Sequence, residues 1–480
     1  MTAEKNSSFT IKGVSIVHYI IVALFCFAFR FVPGFAGITP TGMGILGCFI
    51  GAVYGWSTIG MIWPSIVSMI GTGLIIGMDK MASMTFGNSI IVVMMFMFPA
   101  MSIITTTGAM DYLVNKVLTN KLTVGKPWMT IFVLILGCGI LCTLNSIIVL
   151  VIFCSFFANV CKQVGIKPYT KLPTFMMLGL ALSASLGQVV IPFMGQGMAL
   201  IGSYKAIAGA YPNFAMYILF SAPMMLIMVI AYVLMMRFIF RVDASPFANL
   251  TEEMLGESPK CTRDQKIALG FFLAMLVTIL ISVLPVFGPI YRFCGMFGLC
   301  GIGMVLAAVL QLIKKEDGSQ IFDFATGARD MSWDALLLTA LVLLMSTCMS
   351  LPETGIAAAV ASVITPFMSL PPMVFIIVVL AIIAVITNVA NNMVCAIIGM
   401  PFLYNYALTI GMDPTGIMVL LFMMAQFAIA TPGASALAGI CFAQTELVKA
   451  PDMMKYGVMV VPLLIVIGLT CGLVLNTLIF

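Results

Sequence analysis

Two short polar segments interrupt the most apolar parts of the sequence. The first is Thr143–Ser146, in the centre of the apolar stretch Pro127–Val160. The second is Thr387–Asn392, which contains three Asn and lies between the apolar runs Pro372–Ile386 and Met393–Tyr406. Amides in hydrocarbon need hydrogen-bond partners, so polar residues at membrane depth usually face a cavity or a ligand. The residue types therefore indicate ligand binding by neutral amide and hydroxyl groups.

The elements that position these segments are best interpreted as re-entrant helical hairpins. Each apolar run around the second segment is too short to cross a bilayer of ~30 Å as one helix. We predict hairpins at Pro127–Val160 and Pro372–Tyr406, with their tips inside the membrane. The apolar stretch after each hairpin is itself broken, at Gly187–Gly197 and at Thr431–Gly433. Non-helical backbone at that depth is tolerated where it is buried or lines a wet site, so we expect two tips and two breaks to converge.

The predicted site suits an anion and a hard cation together. A helix that begins at a tip presents free N–H groups and about half a positive charge, which favours an anion without Lys or Arg. A helix that ends there presents free carbonyls, which suit Na⁺, the expected coupling ion. The substrate-binding residues are predicted to be Asn145, Ser146, Gln196, Thr387, Asn388, Thr431 and Pro432. The Na⁺ ligands are predicted to be Thr143, Asn145, Gly187, Asn388, Asn391 and Ala430, and no other cofactor is expected.

Simpler interpretations of these residues remain open at this point. The Asn and Thr side chains would then only cap broken helices or bond neighbouring spans. Gln188 and Gln196 lie in the first break, where they either line the pocket or satisfy exposed backbone. Proton coupling usually needs a titratable group within the membrane. The candidates are Asp111, near a span end, and Glu353, beside a break. Because these positions are typical of interfacial or structural residues, the sequence favours Na⁺ coupling or anion exchange over a proton relay.

The composition places the chain in the membrane and excludes several functions. Of 480 residues, 62% are hydrophobic and 8% charged, against roughly 25% charged in soluble domains. The net charge of +5 lies in short loops and does not indicate nucleic acid. The chain has 13 Cys without a CxxC pair and a single His, His18, so neither a disulfide framework nor a zinc site is expected. An enzyme would need clustered titratable groups at depth, so we expect a transporter.

We predict an all-α polytopic protein with about eleven spans, two hairpins and two inverted repeats. The expected parts are 1–241, a cytoplasmic linker 242–265, and 266–480. With a cytoplasmic N-terminus, all but four of the 22 Lys and Arg fall inside, as the positive-inside rule requires. The spans are predicted at Val14–Val32, Thr39–Tyr54, Thr58–Gly77, Asn88–Leu113, Lys171–Ser203, Pro212–Phe240, Lys266–Val286, Ile290–Ile313, Asp334–Phe367, Thr415–Leu447 and Tyr456–Phe480.

The two halves contain matching residues about half a chain apart. The pairs are Thr107-Gly108 with Thr354-Gly355, Asn145 with Asn388, and Pro192 with Pro432, at offsets of 240 to 247 residues. Each half holds five spans and one hairpin, so the two repeats have opposite orientations. Inverted repeats whose broken helices meet at the midplane are the architecture of a secondary transporter.

At these residues the chain resembles the divalent-anion/sodium symporters of the ion transporter superfamily, which carry dicarboxylates, citrate and sulfate. That family has Ser-Asn-Thr tips, and here Leu144-Asn145-Ser146 and Thr387-Asn388-Val389 take their places. Ser185 to Gly197 and Ala430-Thr431-Pro432-Gly433 resemble the turns of its broken helices. Leu144 and Val389 each replace a hydroxyl that holds a substrate carboxylate in the family. The resemblance implies a homodimer with a fixed scaffold and a moving transport domain, an elevator.

The predicted function is Na⁺-coupled transport of a small di- or tricarboxylate across the cytoplasmic membrane. A dianion entering an inside-negative cell opposes ~4.6 kcal/mol per 100 mV, which two Na⁺ would cancel and three would overcome. The alternatives are Na⁺-independent anion exchange and carriage of another anion such as sulfate, gluconate or arsenite. A passive anion channel, in which re-entrant hairpins also occur, is a further class.

Overall fold

The chain folds into helices that pack in two units. The computed structural model describes residues 10–11, 14–35, 37–119, 125–251, 260–281, 288–315, 317–349, 351–356, 358–359, 362 and 371–480. Unit 1 comprises described residues within 1–92, 202–210 and 332–371. Unit 2 comprises those within 93–201, 211–331 and 372–480. The division into sequence halves with a linker, proposed above, remains a prediction.

Helices account for nearly all of the described regular structure. The α-helices are α1 (Ile16–Ala28), α2 (Pro40–Thr58), α3 (Ile62–Ile76), α4 (Met78–Met84), α5 (Ser89–Thr106), α6 (Ala109–Leu118), α7 (Pro127–Cys142), α8 (Ser146–Val164), α9 (Lys171–Val190), α10 (Gly195–Ala208), α11 (Phe214–Leu234), α12 (Arg263–Ile281), α13 (Pro289–Leu310), α14 (Phe324–Asp330), α15 (Trp333–Met349), α16 (Pro372–Ile386), α17 (Asn392–Thr409), α18 (Pro414–Ala425), α19 (Ala436–Phe442) and α20 (Ala450–Ile479). The 3₁₀ turns are Phe29–Phe31, Ser245–Asn249 and Pro352–Thr354, and Met235–Ile239 forms a π-helical turn. The only described strands, β1 (Thr10–Ile11) and β2 (Val14–Ser15), pair antiparallel.

Several helices are apolar enough to cross a membrane, which confirms the polytopic α class. By length and composition, five helices in the described regions qualify, and α13 makes a sixth if its two bent segments count as one span. The five are Ser89–Thr106, Ser146–Val164, Lys171–Val190, Phe214–Ile239 and Ala450–Ile479. Six further apolar helices in the same regions have 10 to 17 residues. Much of the apolar sequence thus forms shorter helices instead of continuous spans.

Three of the predicted spans are interrupted. The span Asn88–Leu113 stops at Gly108, whose φ of +68° ends the α-helical path between α5 and α6. The span Ile290–Ile313 bends by 93° at Gly298, which has non-helical backbone angles. The span Asp334–Phe367 ends its helix at Met349, before a 3₁₀ turn that begins at a proline; residues 363–367 lie outside the described part. The first two interruptions were not predicted, because hydropathy alone does not report a backbone turn; the third lies at the break expected beside Glu353.

The same order of elements occurs twice along the chain. The pair α7–α8 is followed by the broken pair α9–α10 and then by the long helix α11. The pair α16–α17 is followed by the broken pair α18–α19 and then by the long helix α20. The hairpin helices begin at the predicted prolines, Pro127 and Pro372, because proline is favoured in the first turn of a helix. Helix–turn–helix elements therefore occur at the predicted hairpins, and breaks follow them; the re-entrant placement of the hairpins in the membrane stays a prediction.

The first half of each broken helix lies in the core of unit 2. The sequences of α9 and α18 are apolar nearly all round, as expected of helices that are covered on every side. The helix α9 packs against α7 so closely that a Cβ on Gly187 would lie 2.1 Å from the Gly139 carbonyl oxygen. At its N-terminus α18 is capped by Asp413, which accepts the N–H of Thr415 at 2.8 Å, with proline at the first position. Both helices end at a break, so the side chains of their last turns lie beside non-helical backbone.

The polar stretch between the halves contributes packing as well as connection. Its described part includes the 3₁₀ turn Ser245–Asn249, whose Phe247 is fully buried. The ring of Phe247 lies 6.3 Å from that of Phe157 on α8. Together with residues of α6, α7 and α8 it lines a small, mostly apolar cavity that includes Val117 and Leu134. The prediction of a plain linker at 242–265 missed this anchor, and residues 252–259 lie outside the described part.

Candidate functional site

The first tip is a three-residue turn that ends in a capped helix. After α7, the Thr143 hydroxyl donates back to the Ile140 carbonyl at 2.7 Å. Asn145 then takes an extended conformation, and its Oδ1 accepts the N–H of Ile148 at 3.1 Å. This is the geometry of an N-cap, and Ser146 becomes the first residue of α8. The capping role considered for Asn145 is therefore present, and the cap leaves Ser146 beside the tip.

The second tip is longer, and a different asparagine caps its helix. Residues 387–391 separate α16 from α17. Asn391 Oδ1 accepts the N–H groups of Met393 at 3.0 Å and Val394 at 3.4 Å. The structural counterpart of Asn145 is therefore Asn391, whereas the sequence match was with Asn388. The pairing by sequence differs because the second turn contains two more residues than the first.

Asn388 ties the second tip to the break that follows α18. Its Oδ1 accepts the N–H groups of Ile429 at 3.0 Å and Ala430 at 2.9 Å, and its Nδ2 donates to the Ala384 carbonyl at 2.9 Å. Its backbone carbonyl accepts the Thr431 hydroxyl at 2.6 Å. The residue is only 6% exposed, so these bonds are made inside the protein. Asn388 thus holds two discontinuous segments together.

A chain of neutral side chains links both tips to both broken helices. Gln426 Oε1 accepts the amide N–H of Gln188 at 3.1 Å and that of Asn392 at 2.9 Å. Gln188 Oε1 lies 3.5 Å from the Ser146 hydroxyl, which donates to it, and Asn392 also donates to Gln196 Oε1 at 3.5 Å. Ser146 and Asn392 are the first residues of α8 and α17. The predicted convergence of tips and breaks is therefore observed in these contacts.

The predicted site residues fall into separate groups. Thr143 and Asn145 belong to the first tip, and Asn388 and Ala430 belong to the second, where the Ala430 N–H is bonded to the asparagine. Gly187 lies against α7. The remaining residues are Ser146 and Gln196 in the amide chain, Thr387 and Thr431 bonded to backbone carbonyls, Asn391 as a helix cap, and exposed Pro432.

The site is electrically neutral in its side chains. None of the hydrogen bonds described for these tips and breaks involves a Lys, Arg, Asp or Glu side chain. Within the described ranges, no group of three or more His, Cys, Asp or Glu is placed to hold a metal ion. Any ligand here meets amides, hydroxyls and the ends of helices. Such groups provide oxygens for an alkali cation and N–H donors for an anion.

Sequence reasoning missed the residue at the centre of the chain. Gln426 was not predicted, and Asn392 was noted only as an additional amide, yet both are almost fully buried. A signal was available, because Gln188 and Gln426 are 238 residues apart, close to the offsets of the other matched pairs. Gln188 is bonded to side chains of two other elements, and none of its described hydrogen bonds is to exposed backbone; that it lines a pocket stays a prediction.

Comparison with known proteins identifies the family. The family model of the CitMHS citrate transporters matches residues 16–426. The chain belongs to the citrate transporter family. No curated protein matches the sequence. The prediction from the resemblance, a carrier of the ion transporter superfamily, is confirmed at this level.

Solved structures agree in fold with this citrate transporter family member. The chain is similar to MtrF of Neisseria gonorrhoeae, described as one of a class of antimetabolite efflux pumps, with a TM-score of 0.56 and 12% identity over 84% of this chain and 83% of that one. It is also similar to the YdaH transporter of Alcanivorax borkumensis, with a TM-score of 0.54 and 11% identity over 84% and 88% of the two chains. The family and the neighbours are transporters, so the chain is a multi-pass membrane transporter and not an enzyme.

Proposed function

We propose that this protein is a secondary active transporter that carries citrate or a related small di- or tricarboxylate. The observation that carries the proposal is the neutral, buried amide chain that joins the starts of α8 and α17 to the ends of α9 and α18. Helix N-termini stabilise negative charge, and amide and hydroxyl donors supply directed hydrogen bonds to a carboxylate. A site of this type binds an anion without trapping it, because no fixed charge opposes release.

Coupling to Na⁺ is the second part of the proposal. Thr143 and Asn145 at the first tip are half-buried, and their oxygens are the ligands we favour. Asn388 contributes indirectly, since both of its oxygens are already acceptors within the protein. Entry of a dianion alone opposes ~4.6 kcal/mol per 100 mV, and at least three Na⁺ would drive it inward.

The working cycle proposed is an elevator movement within a homodimer in the cytoplasmic membrane, with the N-terminus inside. The support is the resemblance of the two hairpin tips and two broken helices to the sodium symporters, together with the distribution of Lys and Arg. Substrate would move with the hairpins, which are joined to the buried helices by the hydrogen bonds described above. The halves 1–241 and 266–480 would be the inverted repeats.

The test is uptake of radiolabelled citrate, succinate and malate into proteoliposomes, with and without an inward Na⁺ gradient. We expect uptake that an inward Na⁺ gradient stimulates and that carries net positive charge inward. Uptake that requires internal anion and ignores Na⁺ would contradict the coupling and make the protein an exchanger. Currents far above transporter turnover would indicate a channel. Absence of uptake for all three compounds would refute the proposed substrate class.

A further inference from the structure

Gln188 and Gln426 occupy equivalent places in the two halves of unit 2. Gln188 is in the last turn of α9, and Gln426 directly follows the last residue of α18. Each glutamine also contacts the first residue of the second hairpin helix in its own half, Ser146 for Gln188 and Asn392 for Gln426. The glutamines are bonded to each other at 3.1 Å. The pair therefore lies at the point where all four discontinuities meet.

The two glutamines retain hydrogen-bond donors that no described partner uses. A glutamine amide carries two N–H groups. Gln188 Nε2 donates to Gln426 Oε1, and Gln426 Nε2 donates to the Phe422 carbonyl at 3.2 Å. In the hydrogen bonds of the described residues, the second N–H of each amide has no acceptor, although the side chains are 6% and 0% exposed. Buried donors are almost always paired in native proteins, so two spare donors side by side require an explanation.

Ser185 carries a third spare donor, about one helical turn before Gln188. Its hydroxyl is fully buried and is one of three buried side-chain atoms in the described regions that have no hydrogen-bond partner. Ser185 precedes Gln188 by three residues on α9, so the two side chains project from the same face of the helix. All three donors therefore lie in the last two turns of α9 or directly after α18. The acceptor oxygen of Gln426 is already taken by two N–H groups, so the pair presents mainly donors.

The ends of the surrounding helices reinforce this polarity. Hydroxyl groups cover three carbonyls at the ends of α9 and α18, where negative partial charge would repel an anion. These bonds run from Tyr217 to Val189 at 2.7 Å, from Ser221 to Val190 at 2.9 Å and from Thr387 to Ala425 at 2.8 Å. At the start of α8, by contrast, none of the hydrogen bonds described uses the backbone N–H of Ser146 or Ile147. Carbonyls at the ends of α9 and α18 are thus hydrogen-bonded to hydroxyls, whereas the first two N–H groups of α8 are available to a ligand.

We propose that Gln188 and Gln426 bind one carboxylate of the transported anion directly, each through its spare amide N–H, with the Ser185 hydroxyl as a third donor. The proposal rests on the proposed function and assigns its substrate contact. A carboxylate has two oxygens and about four acceptor positions, so it accepts all three donors. Donation from two neighbouring amides favours a planar group with two equivalent oxygens over a hydroxyl group or a halide. The binding site requires no basic residue.

The test is equilibrium binding of radiolabelled citrate to the purified full-length protein in detergent, with the melting temperature measured on the same samples. Gln188→Met and Gln426→Met keep the length of the side chain and remove its donors. We expect each to raise the Kd for citrate at least tenfold. Because both amides bind the same carboxylate, the double variant should lose less than the product of the two single losses. Gln311→Met is the matched control, since Gln311 is exposed beyond the end of α13, and its Kd should equal that of the wild type.

Ser185→Ala keeps the test decisive if the glutamine variants fail to fold. The Ser185 hydroxyl has no partner in the protein, so its removal should leave the melting temperature unchanged and raise the Kd at least threefold. A purely structural role would lower the melting temperature or the number of binding sites while the Kd of the folded protein stays constant. An unchanged Kd in folded Gln426→Met and in Ser185→Ala would overturn the assignment. If the wild type itself binds no carboxylate, the proposed function fails first and the assignment fails with it.

Discussion

Replacement of Asn388 by alanine should abolish transport, and the structure gives the size of the effect. The substitution removes the partner of three backbone groups: the N–H groups of Ile429 and Ala430 and the carbonyl of Ala384. All three residues are at most 2% exposed, so water does not readily replace the amide. At about 1–2 kcal/mol for each buried group without a partner, the cost is ~3–6 kcal/mol.

This cost acts on the contact between the second tip and the break after α18. Since ~1.4 kcal/mol corresponds to a tenfold change in a population, the lower value already reduces the docked tip roughly 100-fold relative to an undocked one. The helices on either side keep their own hydrogen bonds, so helix content should be retained. Transport should be lost because the amide chain through Asn392 depends on a docked tip.

The assay is citrate uptake into proteoliposomes, with expression, circular dichroism and melting temperature recorded for each variant. Asn405→Ala is the matched control, because Asn405 lies on α17 and is exposed. The control should transport at the rate of the wild type. If Asn388→Ala matches the wild type in uptake and melting temperature, both the calculated cost of the lost hydrogen bonds and the importance of the second tip are refuted.

Two further substitutions probe the elements that carry the site. Gly187→Ala places a Cβ 2.1 Å from the Gly139 carbonyl oxygen, so α7 and α9 must separate at about 1–3 kcal/mol; we expect a lower melting temperature and reduced uptake. Gly270→Ala on α12, where a Cβ would meet nothing within 4 Å, should change neither, and equal behaviour of the two variants would contradict the packing argument. Asp413→Ala removes the cap bond to the Thr415 N–H and should cost about 1 kcal/mol. A thermal shift should detect that cost, whereas the KM for citrate should stay constant; a large change in KM would indicate that the cap does more than start α18.

The sequence was sufficient for the hairpins and breaks but not for the contacts among them. The starts and turns of the hairpins were predictable because proline begins each hairpin and a polar turn divides it, whereas the predicted ends, Val160 and Tyr406, fall short of the helix ends at Val164 and Thr409. The interruption at Gly108 was not, since a single left-handed residue leaves the hydropathy of a segment unchanged. The central position of Gln426 could not be derived either, because a hydrogen bond between residues 238 positions apart depends on the three-dimensional packing of α9 against α18. Local patterns thus specify the elements, whereas the identity of the capping asparagine depends on the length of the turn.

The two tips differ in how their side chains are held, at the positions where the sequence differs from the Ser-Asn-Thr tips of the sodium symporters. The second tip is tied down by Asn388 and Thr387, and its Val389 side chain is 83% exposed. A hydroxyl at that position would project away from the bonded groups, so the valine removes no hydrogen bond from the second tip. The first tip carries the open N–H groups of α8, and there the hydroxyl is supplied by Ser146, which is held by Gln188. In the proposed site, Gln188 and Ser185 on α9 would supply the donors that a hydroxyl at position 144 supplies in the sodium symporters.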